Sequence, residues 1–321
     1  MARAFRSVRT RYGAKPMSAV INVEGLTKRY GSVEAVRGIS FAVHPGEIVG
    51  LLGPNGAGKT TALECIIGLR GADSGNIQIC GIDARRDTSG MREKIGVQLQ
   101  ATALPEQIRI REALHLFASF YKKSVPVADL IERFSLQEKA DATFNSLSGG
   151  QRQRLAMALA VINEPQVLFL DEPTAAMDPQ ARRELHRVIH DQRAKGGSVL
   201  ITTHHIDEAE LLCDRVAIMD HGQIIAHDSP AALVGKAKTV SRIVCSSDKS
   251  LDKVALSTLA GAVDVVVEGL VVTISSTAIN QTVIALVHHL DVVGAALVDL
   301  QIRKPSLEDV FIELTGRRLR D

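Results

Sequence analysis

The octapeptide Gly53-Pro54-Asn55-Gly56-Ala57-Gly58-Lys59-Thr60 restricts the fold of this 321-residue chain more than any other feature. It matches the pattern G-x-x-x-x-G-K-S/T, whose glycines let the backbone curl so that successive N–H groups face inward onto phosphate oxygens. The apolar run Ile48–Leu52 before it reads as a strand and Lys59–Leu69 after it as a helix. The loop therefore lies where a strand feeds the positive end of a helix, a ready anion site. Lys59 supplies a mobile cation for terminal phosphates, and the Thr60 hydroxyl is suited to ligate magnesium. This context argues for a phosphate-binding loop over a plain glycine-rich turn.

Two further segments carry chemistry. Val167-Leu168-Phe169-Leu170-Asp171-Glu172 is an apolar strand ending in two carboxylates. Side chains alternate along a strand, so the two acids leave on opposite sides and do different jobs. Asp171 is assigned to a magnesium shell and Glu172 to an attacking water. Leu147-Ser148-Gly149-Gly150-Gln151 opens a helix with apolar residues at Leu155, Leu159 and Ile162. Ser148 and Gln151 alone form a capping box. Capping does not call for consecutive glycines, however, and small residues at a helix start leave N–H groups open to an approaching anion. The chain thus offers two phosphate-binding helix starts for one nucleotide.

Around these motifs, short strands are expected at Val20–Val23, Ser32–Val36, Ile39–Val43, Asn76–Ile79 and Ile95–Leu99. Helices such as Ile110–Phe120 and Ala128–Phe134 fill 104–163. Strands and helices then alternate: Val167–Leu170, Pro179–Gln192, Val199–Thr202, Ile206–Leu212, Arg215–Met219 and Gln223–Ala226. Such alternation predicts a largely parallel sheet covered by helices. Ser229-Pro230 opens one more helix, and Gly235-Lys236-Ala237-Lys238 reads as a linker. Beyond it come strand 239–245, helix 250–259, strands 262–267 and 270–275 joined at Glu268-Gly269, helix 278–290 and strand 293–302. This βαββαβ order is that of a ferredoxin-like unit. A final helix starts at Ser306, where Ser306 and Asp309 form a capping-box pattern.

Composition removes other classes. With 45% hydrophobic and 23% charged residues the chain is neither disordered nor fibrous. No run approaches the ~18 apolar residues of a membrane span; Asp264 and Glu268 interrupt even Ala260–Ile274. The net charge of +2 is too balanced to argue for nucleic acid. Arg3, Arg6, Arg9, Arg11 and Lys15 all lie in an acid-free tail, leaving residues 17–321 at two minus five, or −3. That tail reads either as a transit-like leader or as residues from a misassigned upstream start. Cys65, Cys80, Cys213 and Cys245 are too scattered for a disulfide framework or a zinc site and are expected to be reduced and buried in a cytosolic protein.

Taken together, LSGGQ with the phosphate loop upstream and VLFLDEP downstream resembles the nucleotide-binding subunit of ATP-binding cassette (ABC) transporters, over about residues 20–235. The resemblance implies a P-loop NTPase cassette, an α/β mixed-sheet core with a helical subdomain. In that family two cassettes pair head to tail, and the LSGGQ segment of one (Leu147, Ser148, Gly149, Gly150, Gln151) closes over ATP held by the other. It implies nucleotide contacts by Gly53 to Lys59, Thr60 and Thr61, and adenine stacking on Tyr30 in Lys28-Arg29-Tyr30-Gly31. Gln100 matches the Q-loop glutamine, which contacts magnesium and relays to the membrane partner; family alignment favours it over Gln98, two residues away on the same strand. Asp178 in Ala176-Met177-Asp178-Pro179 matches the D-loop aspartate, in a loop that departs mildly from the usual small-small-Leu-Asp. His204 in Thr202-Thr203-His204 matches the switch histidine at the γ-phosphate, and His205 is read as a solvated neighbour.

The closing stretch Lys304–Gly316 is similar to cassettes of ABC-2 type exporters, including the daunorubicin-resistance type, whose permease is a separate polypeptide. The expected organisation is a basic tail (1–18), a cassette (19–236, helical subdomain about 101–163) and a C-terminal α+β accessory domain (239–318). Its extension contacts the partner cassette or the permease, or merely caps the fold. The implied activity is ATP hydrolysis by a homodimer with magnesium. It powers export through that permease from the cytoplasmic face of the membrane, as a peripheral subunit without nucleic acid. Lys59, Glu172 and His204 are the implied catalytic residues, and Thr60, Gln100 and Asp171 the implied magnesium ligands. The competing reading is an ABC ATPase with no transport role, in cofactor assembly or translation; a GTPase is disfavoured because no N/T-K-x-D guanine motif is found.

Overall fold

A computed structural model describes residues 18–100, 103–174, 177, 179–236 and 240–316. The basic tail of residues 1–16, Asp178, and Ala237 and Lys238 of the expected linker lie outside them.

Three strands are buried at every position and apolar except at the polar ends of the last two: β3 (Ile48–Leu52), β7 (Val167–Asp171) and β8 (Ser198–Thr203). A strand reads this way when both sheet faces are covered. The six-stranded sheet has the order β10 (Gln223–Asp228), β9 (Arg215–Asp220), β3, β8, β7, β6 (Ile95–Gln98). All its pairs are parallel except the β9–β10 hairpin. Alternate residues serve two separate cores. Val49, Leu51, Val167, Phe169 and Leu200 pack with helix α1 (Lys59–Ile66). Ile48, Leu52, Leu168, Leu170, Val199 and Ile201 face α5 (Gly149–Ala160), α6 (Pro179–Ala194) and α7 (Ile206–Leu212) on the other side.

The remaining strands of the first 83 residues depart from the expected parallel arrangement. They form a separate antiparallel sheet of order β2 (Val33–Val43), β1 (Ile21–Tyr30), β4 (Ser74–Ile79), β5 (Ile82–Asp83). It closes over the face of α1 turned away from the parallel sheet. The two strands expected at 32–36 and 39–43 are one. Leu26 pairs with Ile39 and Thr27 with Arg37, so Gly38 is skipped as a bulge residue at φ +73. A short helix, α2 (Thr88–Arg92), capped by Asp87, precedes β6. Helices α3 (Ile110–Ala118), α4 (Val127–Arg133) and α5, with two 3₁₀ turns, make up the expected helical stretch.

Helix α8 (Pro230–Lys236) takes in Gly235 and Lys236, which the sequence pattern assigns to a linker. Then β11 (Ser241–Ser247), α9 (Lys253–Ser257), β12 (Ala262–Glu268), β13 (Val271–Ser276), α10 (Ile279–Val293) and β14 (Leu297–Arg303) follow in the expected order. Their antiparallel sheet runs β12, β13, β11, β14, the second, third, first and fourth strands of the unit. Two boundaries shift for local reasons: Asp252 caps α9 late, and α10 runs on to Val293 until Gly294 closes it at φ +62.

The last helix, α11 (Leu307–Thr315), starts at the expected Ser306/Asp309 capping box. It leaves the β11–β14 core and packs on α7 and α8, burying Leu307, Val310 and Phe311 in the same cluster as Leu212 and Leu233. Phe311→Ala is expected to cost about 3–5 kcal/mol of stability, read from urea unfolding of the whole chain. A loss below about 1 kcal/mol would mean that this site collapses around the deletion instead of leaving a cavity. No helix among the described residues is long and apolar enough to cross a membrane. All four cysteines are free; three are buried and Cys80 is half-buried.

Candidate functional site

Because β3, β8, β7 and β6 are adjacent and parallel, their C-terminal ends lie along one edge of the sheet, where α/β proteins bind ligands. That edge receives the phosphate-type loop from β3, Asp171 and Glu172 from β7, Thr203 and His204 from β8, and the segment to Gln100 from β6.

The loop is held by close backbone approaches. A Cβ on Gly53 would stand 2.3 Å from the carbonyl oxygen of Met219, and one on Gly58 2.3 Å from that of Ala35. Gly58 also adopts φ +98 and precedes α1 without a side-chain cap, so the helix start is open to a ligand. Its glycines at 53 and 58 are therefore demanded by this chain's own packing. Asn55 and Gly56 are exposed at the loop tip, with Pro54 partly buried beside them. Ala57 is buried and its carbonyl accepts from Gly222 N. Thr61 lies partly buried in the first turn of α1. Lys59 is 4% exposed; its Nζ reaches the carbonyl oxygens of Gly53 (2.8 Å) and Pro54 (3.1 Å) and Glu172 Oε1 (3.1 Å).

Glu172 is the meeting point. It takes the left-handed conformation, φ +45, which a non-glycine residue holds only when its surroundings enforce it. They do: its N–H donates to Thr202 Oγ1 (3.0 Å) as well as to the Thr202 carbonyl (3.1 Å). Oε2 receives Gln100 Nε2 at 3.5 Å and lies 3.2 Å from His204 Nδ1, a distance that makes no hydrogen bond in this arrangement. Asp171, on the other side of the strand end, accepts from Thr60 Oγ1 (3.1 Å) and Thr202 Oγ1 (2.5 Å). Burial raises the Asp171 pKa, while the two hydroxyls act against that rise. Thr60 and Asp171 thus present hard oxygens of the kind magnesium takes. No cluster of three or more His, Cys, Asp or Glu that could hold a metal occurs among the described residues.

The two glutamines separate. Gln98 is the last residue of β6, buried, with Nε2 on the Leu99 carbonyl, whereas Gln100 is past the strand and reaches Glu172. Strand alternation stops at Gln98, so the expectation that both face one side does not hold. Tyr30 ends β1, 41% exposed, with Arg70 and Lys28 cations 5.4 and 5.5 Å from its ring centre. The β1–β2 hairpin that carries it touches the loop through Ala35. His205 is partly buried and is the N-cap residue of α7, with its ring 4.1 Å from that of His204.

The second helix start is not at this edge cluster. Ser148 caps α5 and exchanges hydrogen bonds with Gln151, the expected capping box, behind the buried Leu147. A Cβ on Gly149 would meet nothing within 4 Å, so no packing among the described residues requires glycine there. A bond from Gln153 Nε2 to the Pro173 carbonyl (2.9 Å) ties this helix to the cluster.

Sequence reasoning misses Thr202 and Thr203, though they are the only polar residues of an otherwise apolar run, Val199–Thr203. It misses Glu208, Thr174 and His186 too, and no local pattern marks them.

Residues 36–175 match the family model of ABC transporters. The chain is 37% identical over 311 residues to a Nod factor export ATP-binding protein I of Ralstonia nicotianae, covering 94% of this chain and 95% of that one. It is 34% identical over 316 residues to the linearmycin resistance ATP-binding protein of Bacillus subtilis, covering 94% and 100%. Among solved structures, an ATP-binding subunit of an ABC transporter superposes with a TM-score of 0.63 at 28% identity, over 68% of this chain and 92% of that one. A dimeric post-hydrolysis ATP-binding cassette bound to ADP and phosphate superposes with a TM-score of 0.60 at 25% identity, over 65% and 98%.

Proposed function

This chain belongs to the ABC transporter family, and on that premise we propose that it is the ATP-hydrolysing subunit of an exporter that drives a separate ABC-2 type permease. The observation that carries the reading is the convergence of Lys59, Gln100 and His204 on the Glu172 carboxylate at the strand ends.

The loop amides and Lys59 bind the β- and γ-phosphates. Thr60, Asp171 and Gln100 would hold magnesium, and the ion, when bound, would neutralise charge on the terminal phosphates. Glu172, fixed by the Thr202 contacts, orients the attacking water and accepts its proton, and His204 steadies the γ-phosphate. Positioning and electrostatics supply most of phosphoryl-transfer catalysis, which is why the strained Glu172 backbone belongs at this place. Tyr30, exposed at the hairpin end, stacks on the adenine.

Two copies complete each site. Ser148, Gly149 and Gly150 start a helix where no described residue requires Gly149, so the free approach serves a ligand held by a second copy. The dimeric cassette in the comparison supports such an arrangement, and Asp178 is proposed to act between the two copies. The permease docks beside the Q-loop, on Gln100–Glu106 and the adjoining groove. The groove lies between Arg92 and Glu93 on one side and Phe117, Phe120 and Tyr121 on the other, with Phe120 63% exposed. The names of the curated relatives support export as the direction, and the protein then works peripherally on the cytoplasmic face of the membrane.

The test is to identify a multispan protein encoded in a neighbouring gene, purify the chain with it and scan single cysteines along this groove. Crosslinks to that protein, with ATP hydrolysis that rises on reconstitution, are expected. Hydrolysis at full rate by a chain that never associates with a membrane protein would favour an ABC ATPase without a transport role.

A further inference from the structure

One buried carboxylate outside the cluster just described joins the strand ends that hold it. Glu208, in the first turn of α7, is 5% exposed. Its Oε2 accepts from Thr203 Oγ1 (2.7 Å) and from Thr174 Oγ1 (3.1 Å). Thr203 directly precedes His204, and Thr174 lies two residues beyond Glu172. The Thr203 hydroxyl also accepts from His205 N (2.9 Å), so a continuous chain of donors runs from the backbone on the far side of His204 into the carboxylate. The Thr174 carbonyl accepts from Met177 N (3.1 Å). One oxygen atom therefore ties the segment carrying His204 to the segment leaving Glu172.

Nothing about helix capping explains this choice. A glutamate at the third helical position ordinarily turns back to the N-cap N–H, and Glu208 points inward instead, at a desolvation cost that burial imposes on any carboxylate. Burial raises its pKa, against the two hydroxyl bonds and the positive charge of Arg182. Its second oxygen, Oε1, has no hydrogen-bond partner among the described residues and faces His186 Nε2 of α6 at 3.9 Å, itself unpartnered there. A buried charge so incompletely satisfied is a net burden to the fold and is explained by what it positions.

We propose that Glu208 is a positioning residue for ATP hydrolysis: through Thr203 and Thr174 it locks the His204 segment to the segment leaving Glu172, so that the γ-phosphate contact and the carboxylate that orients the water stay in register. The proposal rests on the hydrolytic reading of the site. Glu208 acts through the two threonines.

The test uses the full chain with its permease. Glu208→Ala is expected to lower kcat roughly 10- to 100-fold, as misplacement of about 1 Å does, with the KM for ATP changed less than about twofold. Glu208→Gln keeps an oxygen able to accept both hydroxyls and is expected to recover kcat to within about threefold of the parent. Thr203→Val and Thr174→Val are each expected to lower kcat, and neither adds to Glu208→Ala in a double-mutant cycle. Should Glu208→Ala not fold, the two valine variants and their double variant carry the test. Independently of nucleotide, hydrogen exchange at the His205 amide should speed up about tenfold in Thr203→Val and Glu208→Ala.

Parental kcat together with unchanged His205 exchange in the threonine variants overturns the proposal. So does a Glu208→Gln protein that melts like the parent yet is as slow as Glu208→Ala. If the parent complex itself hydrolyses no ATP, the exporter reading fails, and His205 exchange alone decides whether Glu208 holds this segment.

Discussion

Replacing Glu172 by Gln is expected to cut steady-state ATP hydrolysis by about 100- to 10,000-fold, the range over which a positioned general base contributes, while ATP affinity changes only a few-fold. Glutamine preserves the shape that fits between Lys59, Gln100 and His204 but loses the negative charge that pairs with Lys59 and takes a proton from water. The backbone at φ +45 is held by the Thr202 bonds to the Glu172 N–H, which the substitution leaves in place. Binding and chemistry therefore separate in this variant. Single-turnover measurement with radiolabelled ATP checks it, and parental turnover by Glu172→Gln would remove Glu172 from its assigned role.

Ser148→Arg is expected to abolish ATP hydrolysis to within about a hundredth of the parental rate or lower, with the ATP affinity of a single chain unchanged. Ser148 and Gly149 are exposed and a Cβ on Gly149 meets no described residue within 4 Å, so an arginine at 148 extends into open space. It costs the cap that Ser148 Oγ provides for Gln151 N, about 1 kcal/mol, which a thermal melt will show as a shift of a few degrees. The long side chain fills the space that a second copy's nucleotide must enter. ATP titration and steady-state hydrolysis on the same preparation check both halves. Normal hydrolysis in a folded Ser148→Arg protein would show that α5 approaches no nucleotide.

Much of this site is legible in the amino-acid sequence because its chemistry is local along the chain. The phosphate loop, the acids closing β7 and the glycines opening α5 each announce themselves within eight residues, since backbone curl, strand ends and helix starts are short-range features. The parallel sheet is legible too, because β3, β7 and β8 are apolar on both faces. What escapes the sequence depends on contacts between distant segments. The antiparallel sheet β2-β1-β4-β5 uses strands that alternate like any others, and only pairing shows that they form a second layer over α1. A bulge at Gly38 makes one strand read as two, as a glycine inside a strand is prone to do. Thr202 and Glu208 gain their meaning from partners 31 and 34 residues away, and no window on the sequence contains both ends. The same holds for α11, whose amphipathic pattern is readable but whose choice of α7 and α8 as partners is not.

At the centre of this mechanism, two copies of the chain enclose each ATP between the phosphate loop of one and the α5 start of the other. The most direct measurement is the light-scattering mass of the Glu172→Gln chain at saturating ATP and magnesium, in solution and in complex with its permease. Two 34.6 kDa chains per particle, falling to one when ATP is removed or when the chain also carries Ser148→Arg, is the predicted result. A mass that stays at that of one chain under both conditions would contradict it.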